Sequence, residues 1–380
     1  MSFRAAYISM SKIAIIGDIH LSPKCDITSI RNHVVAAQKK YLDGLAPKLE
    51  AAGVDTILFA GDIFSVRTFI TVEALNYAME LFGKTLAKFD IHIVAGNHDC
   101  LYDNTNYVSS IRYLGLLPNV HVYIDDIETI ELHGMKFHMV PWVTPAAMPG
   151  FNDWLAKMAK KPKAERDKTV ILGHFDMMGV LMDAGQISEA GLEPEKFMKA
   201  AKYTFSGHYH CRSDHENRGN RVVYLGTPFQ LTFAHVDTDC GIYLFDDEMN
   251  LEFIENTESP RFMDCDDEHL DGLGDISNYF VRYMAKTGRN ADESSELKKK
   301  LESYGPLYIK MVPYGGEAGT LDDAKAVDDE EAKKIMESDT IGLATMYMDR
   351  YADLLPQFED GTDSRQMITG LLKKYVDRVG

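Results

Sequence analysis

Five short apolar runs in this chain end in the same way, with a glycine followed by a carboxylate, carboxamide or imidazole. Lys12–Ile16 (KIAII) runs into Gly17-Asp18-Ile19-His20, and Asp55–Ala60 (DTILFA) into Gly61-Asp62. Ile91–Ala95 (IHIVA) meets Gly96-Asn97-His98-Asp99, Thr169–Leu172 meets Gly173-His174, and Tyr203–Ser206 meets Gly207-His208-Tyr209-His210. Short β-branched runs bounded by turn residues read as buried strands. A glycine at each end lets the backbone turn tightly, and strand C-terminal ends are where α/β folds place their sites. Between the first two runs, Ile30, Val34, Tyr41, Leu45 and Leu49 recur at near-helical spacing over residues 28–52, closed by Gly53. Residues 71–89 also read as helical. Strand-helix alternation of this kind predicts a doubly wound α/β layer structure. From about 119 to 142 strands dominate, residues 151–167 read as helix, and further strands fall near 221–225, 240–246 and 251–255.

The strand ends carry mixed donors, hard oxygen from Asp18, Asp62 and Asn97 and imidazole nitrogen from His20, His174, His208 and His210, with no thiolate. That donor set suits Mn²⁺, Fe²⁺ or Zn²⁺ better than an all-oxygen Mg²⁺ or Ca²⁺ cage. Two sets of four donors sharing one bridging carboxylate would hold two ions roughly 3.5–4 Å apart, a spacing that clamps a phosphate for in-line displacement. One Gly-Asp or a lone histidine means little; five such ends in order are a constellation.

The order D-x-H, G-D, G-N-H-D, G-H, G-H-x-H resembles the calcineurin-like metallophosphoesterase superfamily over residues 12–245, with all five motifs present. The resemblance implies two mixed sheets flanked by helices, in a four-layer sandwich. It also implies that Asp18, His20 and His210 hold one metal, that Asn97, His174 and His208 hold the other, and that Asp62 bridges. His98 would meet the phosphate and assist the leaving oxygen as general acid or by charge stabilisation. Asp99 would orient that histidine.

After GDIF the chain continues SVRTF, without the D-R-G of Ser/Thr phosphatases. Tyr224–Phe233 (YLGTPFQLTF) and the later GIYLFD…LEFIENTESPRF are similar to SbcD-type nucleases, especially their bacteriophage recombination-endonuclease members. That branch implies a Mn²⁺-dependent phosphodiesterase on DNA, exonuclease on double-stranded ends and endonuclease on single strands, attacking with a metal-bound hydroxide. It further implies work in recombination and double-strand-break repair with an SbcC-type coiled-coil ATPase. It implies a homodimer too, for which residues 71–89 and 103–116 are the candidate helices. Arg67, Arg212, Lys24, Tyr102 and Asn104 follow the metal motifs and are candidates for DNA-backbone contacts, with solvated loop residues as the alternative reading.

The branch makes sense of an awkward charge. The 380 residues carry 58 acids and 40 bases, formally −18, where a nucleic-acid binder usually shows a basic footprint. Residues 261–380 hold 25 acids and 16 bases, so −9 of the −18 lies in the last third. Attraction to DNA would then be local, or supplied by the partner. Five cysteines, an odd number without CxxC, read as reduced thiols of a cytoplasmic protein (the host cytoplasm for a phage-encoded one). No apolar run approaches the roughly 20 residues of a membrane span.

The expected organisation is an N-terminal extension over 1–9, a nuclease domain over 10–260, and a small α+β capping domain over 261–316. A linker over 317–332 and a helical partner-binding segment over 333–380 complete it. The capping region includes a helix over 287–303 and a strand at Leu307–Val312. The C-terminal helices have a competing reading, packing on the chain's own core. His33, His92, His121, His133 and His138 read as structural, His215, His235 and His269 as surface residues, and Cys100 as a small packing residue. Two other functions stay open: a small-molecule phosphodiesterase on the same site, and a metal-free scaffold, which the complete ligand set disfavours.

Overall fold

A computed structural model of the chain describes residues 11–21, 28–183, 185–285 and 291–313. The chain divides into two units, Met1–Gly316 and Glu317–Gly380, and the described residues all belong to the first. The expected extension, linker and C-terminal helical segment lie outside the described residues, as does Lys24.

The first unit is a sandwich of two six-stranded sheets. Its strands are β1 (Lys12–Ile16), β2 (Val54–Phe59), β3 (Asp90–Val94), β4 (Val120–Tyr123), β5 (Glu128–Leu132), β6 (Met135–Val140), β7 (Thr169–His174), β8 (Leu181–Asp183), β9 (Gln186–Ile187), β10 (Tyr203–Gly207), β11 (Ser213–Asn217), β12 (Asn220–Tyr224), β13 (Gly241–Asp246) and β14 (Leu251–Glu255). One sheet runs β14-β13-β1-β2-β3-β4, the other β11-β12-β10-β7-β6-β5, and β8 and β9 form a separate hairpin. Strands β1 to β4, and β6, β7, β10 and β12, pair in parallel; β13, β14, β5 and β11 join antiparallel at or near the edges.

Alternation along each strand explains the layers. Ile13, Ile15, Leu58, Ala60, Val94, Phe137, Val170, Leu172, Phe205 and Phe245 meet between the sheets. Ala14, Ile16, Ile57, Phe59, Ile91 and Ile93 face outward under helices α1 (Thr28–Asp43), α2 (Leu45–Ala51) and α3 (Val72–Glu80). On the second sheet, Ile171, Val222 and Tyr224 pack with Phe151, Leu155 and Phe197 of α4 (Met148–Ala159) and α6 (Pro194–Ala200), while α5 (Lys163–Arg166) is a single turn between them. Central strands buried on both faces need continuous apolar runs, which is what KIAII and IHIVA are.

The helix read over 28–52 is two helices. Ile30, Val34, Tyr41, Leu45 and Leu49 are all buried, as their spacing predicts, but the helix breaks at Gly44. Pro47 explains the break, because its ring would clash with the carbonyl of Asp43 in a continuous helix. The 103–116 stretch holds only a short 3₁₀ turn, Arg112–Leu116, among extended and bent backbone, so it offers no long helix for a dimer contact.

Beyond residue 260, β15 (Arg261–Cys265), β16 (Tyr279–Ala285) and β17 (Tyr308–Pro313) form a parallel three-stranded sheet with α7 (Ala291–Ser303) crossing between the last two. Its Leu297 and Leu301 pack with Val281 and Tyr283. Phe262 and Phe280 stack at 4.7 Å, and Phe233 meets Phe262 at 4.8 Å, so this sheet shares apolar contacts with the outer layer of the first sheet.

Candidate metal centre

The parallel strands of both sheets deliver their ends to one rim. The first sheet contributes Asp18 and His20 after β1, Asp62 after β2 and Asn97 after β3; the second contributes His174 at the end of β7 and His208 and His210 after β10. The seven converge as two overlapping groups. In one, Asp18 Oδ2 lies 3.9 Å from His20 Nε2 and 3.8 Å from His210 Nε2, and the two imidazole nitrogens are 3.0 Å apart. In the other, Asn97 Oδ1 lies 2.8 Å from His174 Nε2 and 3.1 Å from His208 Nδ1. Asp62 Oδ2 stands between them, 3.7 Å from His20 Nε2 and 3.5 Å from His174 Nε2.

Backbone geometry at the rim is costly. His20, Asp62 and His208 have φ of 44°, 49° and 93°, in the left-handed region that L-residues rarely adopt. Of the motif glycines, Gly61 alone needs positive φ, at 100°. Gly96 and Gly207 serve close approach instead. A Cβ on Gly96 would fall on the Asp62 carboxylate, and one on Gly207 on Asp18 and the Ala60 carbonyl. The expectation that each glycine makes a turn is therefore corrected: at these two positions glycine lets one ligand-bearing loop lie against the next.

Burial governs the electrostatics. Asp18 and Asp62 are at most 1% exposed, and burial raises both carboxyls, Asp18 further through the nearby Asp62 charge. Burial likewise lowers the imidazoles, His174 and His208 to about 3 and His210 to about 4, with His20 also well down. Neutral imidazoles are the metal-binding form. Among the described residues no lysine or arginine pairs with Asp18 or Asp62; the nitrogens around them belong to backbone N–H groups and imidazoles. Buried charge without a partner is costly, and divalent cations at these donors relieve it. The residues thus fit two metal ions, and the donor set identifies no single metal.

Positions of the remaining residues refine the sequence reading. His98 Nδ1 lies 2.9 Å from the Ser65 carbonyl, and His98 N–H donates to Asp62 Oδ1 at 2.8 Å. Its ring meets that of His20 edge-on at 5.2 Å. The Asp99 carboxylate does not orient this ring. It accepts from the backbone N–H of Ile63, Phe64 and Gly96 at 3.0–3.3 Å, tying the GNHD loop to the GDIF loop. A backbone carbonyl therefore aims His98, a partner invisible to motif reading.

His235, expected at the surface, is 1% exposed. Its Nε2 lies 3.2 Å from His210 Nδ1, and its Nδ1 accepts from Leu231 N–H. Thr232 caps the 3₁₀ turn Phe233–His235 that carries it, at the end of the YLGTPFQLTF stretch. The helix-free T-F-A-H sequence held no periodicity to reveal this. Trp142 was also missed; its ring lies 5.3 Å from His208 and 5.8 Å from His174.

Arg67 lies beside the segment that carries two other candidate DNA contacts, Tyr102 and Asn104. It pairs with Asp103 of that segment. Arg212 stacks over Phe253 at 4.3 Å and approaches Asp239 at 3.7 Å. Tyr102 is half exposed, and Asn104 lines an open polar cavity with Asn106 and Asp125. Cys100 is buried, its thiol pushed up by burial to about 12, so packing is its role. A second imidazole group, His92 and His121 stacked at 4.8 Å with a nitrogen of each about 3 Å from Asp90, lies near the opposite ends of β3 and β4 and is satisfied by these contacts.

A two-sheet sandwich with a rim of paired Asp, Asn and His ligands is the architecture of a metal-dependent phosphoesterase. Comparison with known families agrees. The calcineurin-like phosphoesterase family matches residues 11–212, more than half of the chain, and the chain belongs to that family. It is 28% identical to exonuclease subunit 1 of Enterobacteria phage T4 over 374 residues, 96% of this chain and 99% of the relative. It is 23% identical to putative phosphoesterase 078R of Invertebrate iridescent virus 3 over 225 residues, 58% of each. Among solved structures, an archaeal phosphodiesterase matches at 13% identity with a TM-score of 0.34, covering 64% of this chain and 99% of its own. No helix among the described residues is long and apolar enough to cross a membrane.

Proposed function

We propose that the chain is the nuclease subunit of a DNA recombination and repair complex, a phosphodiesterase that uses two divalent ions, Mn²⁺ foremost. The observation that carries this reading is the extent of the likeness to the phage exonuclease subunit. It spans nearly all of both chains, about 170 residues beyond the phosphoesterase match, which a compact small-molecule hydrolase would not need. The word subunit in that relative's name supports a partner, which we take to be an SbcC-type coiled-coil ATPase docked by residues 333–380. Residues 261–316 would act as the DNA-selecting cap, and the working form would be a homodimer.

Asp18, His20, Asp62 and His210 would hold one ion, and Asp62, Asn97, His174 and His208 the other. When bound, such ions polarise phosphoryl oxygens and activate water. The chain's own contribution is positioning and charge. Asp62 is held by the His98 N–H and by its burial, ready to bridge. His98, tied at Nδ1, keeps Nε2 for the substrate phosphate and the departing oxygen. The expected products are nucleotides from duplex ends and cuts within single strands.

The test is a Mn²⁺ titration on linear double-stranded and single-stranded DNA, with a small phosphodiester in parallel. His98→Ala and Asp62→Ala are run beside wild type. Metal-dependent DNA degradation lost in both variants supports the reading. Cleavage of the small diester but never of DNA, even with the partner ATPase present, favours the small-molecule phosphodiesterase instead. Loss of ATPase association on truncation after residue 332 tests the docking assignment.

A further inference from the structure

His174 does more than offer Nε2 to the metal centre. It also walls a cavity of about 560 Å³ whose apolar lining is Trp142, Pro145, Met148, Phe175 and Leu192. Three polar side chains, Asn152, Asp176 and Lys196, also line it. Trp142 is held firmly in place. Its backbone N–H donates to Ala95 O at 2.8 Å, and its carbonyl accepts from Asn106 Nδ2 at 2.8 Å, so it is pinned to the loop that presents Asn97. Its side chain is part-exposed, and the same residue lines the second, more polar cavity of about 480 Å³ that includes Asn104. A fixed indole thus stands between two open spaces, within one ring's reach of His174 and His208.

We propose that Trp142 and the apolar cavity form a nucleobase subsite, taking the base of a deoxynucleotide attached to the scissile phosphate. The inference rests on the nuclease reading and narrows its substrate. A phosphodiester at the metal ligands carries its base one deoxyribose away, and the cavity shares His174 with those ligands. The lining matches a base: apolar walls for its faces, and a carboxylate, a carboxamide and an ammonium for its edge. Tyr209 Oη donates to Asp176 Oδ1, which holds that carboxylate in orientation. A base still paired in a duplex cannot enter such a pocket, so the nucleotide must first leave the stack. Frayed duplex ends and single strands both supply one, and a single site then serves both expected activities.

Base–aromatic stacking changes affinity by roughly 5- to 150-fold per base. The test uses the full chain with Mn²⁺ and oligonucleotides whose nucleotide beside the cut site is natural or abasic. Wild type is expected to cut the abasic strand more slowly by a factor in that range. Trp142→Ala should lose this factor on natural DNA and cease to distinguish the two substrates, with metal content unchanged. Trp142→Phe should keep most of the discrimination. Met148→Trp, which fills the cavity and leaves Trp142 in place, should abolish it. Indole fluorescence supplies a reading without cleavage: quenching by deoxythymidine 5′-monophosphate but not by deoxyribose 5-phosphate, lost in Trp142→Phe.

Equal slowing of both substrates by Trp142→Ala would overturn the subsite and leave the ring as a mere support for His208. So would a wild type indifferent to the missing base. Nucleotide-specific quenching in a protein that never cuts DNA would keep the pocket and discard the nuclease reading.

Discussion

Replacing Gly96 by alanine should damage the metal centre out of proportion to the single carbon added. The new Cβ would overlap the Oδ1 and backbone nitrogen of Asp62, well inside 3.0 Å, where real Cβ contacts are not found. Neither neighbour can yield freely. Asp62 is 1% exposed, its Oδ1 accepts from His98 N–H, and Gly96 N–H is bound to Asp99. Overpacking of this kind costs about 1–3 kcal/mol. The functional cost is larger, because relief requires the Asp62 carboxylate, proposed above as the bridge, to move by the order of 1 Å, a misplacement that can cost about 100-fold in rate. Gly150→Ala is the control. It lies in the first turn of α4 with nothing within 4 Å, and should gain up to about 1 kcal/mol with activity unchanged. The assays are the denaturant midpoint, bound metal per chain, and hydrolysis of DNA and a small diester. A Gly96→Ala protein with wild-type rate and metal content would refute the close-approach argument.

Asp99→Ala should cost about 3 kcal/mol or more in unfolding free energy, because it strands three buried N–H donors; Asp99→Asn, which keeps an acceptor, should cost less. His235→Ala should weaken Mn²⁺ binding about 10- to 100-fold by releasing His210, read by calorimetry; unchanged affinity would remove His235 from the centre. Burial lowers His138 to about 4, so the folded protein resists protonating it. Since the unfolded value is about 6.5, the unfolded chain binds more protons between those values. Stability from this group is full above pH 6.5 and falls by about 3 kcal/mol by pH 4. Comparing wild type with His138→Leu at pH 7 and pH 4 should show a steeper loss in wild type, and parallel losses would contradict it.

What was legible in the sequence was local. Each ligand follows a strand that announces itself by composition, so the five motifs and the layered fold came together. The grouping of Asn97 with His174 and His208 came from the family pattern alone; their donor atoms lie 2.8 and 3.1 Å from Asn97 Oδ1. Contacts between distant segments were not legible. His235 reaches His210 only because the turn after β12 folds back under the rim, and nothing about T-F-A-H shows that. The carbonyl of Ser65 has no side-chain signature at all. Gly96 and Gly207 looked like turn residues because the crowding that demands them lies in another loop. Gly44 and Pro47 did carry a break signal, outvoted by the apolar spacing that runs across them.

The left-handed backbone at His20, Asp62 and His208 has a consequence for how such a protein would decay. An L-residue in that region costs on the order of 1–3 kcal/mol, and these are positions where glycine would sit at ease. A lineage released from the need to hold metal would be free to relax this backbone by His208→Gly; Asp62→Gly would relax it too, but would take the acceptor from the His98 N–H. The sandwich would persist while its chemistry vanished. Glycine at 20, 62 and 208, above strands left intact, would be the mark of a descendant kept for its shape.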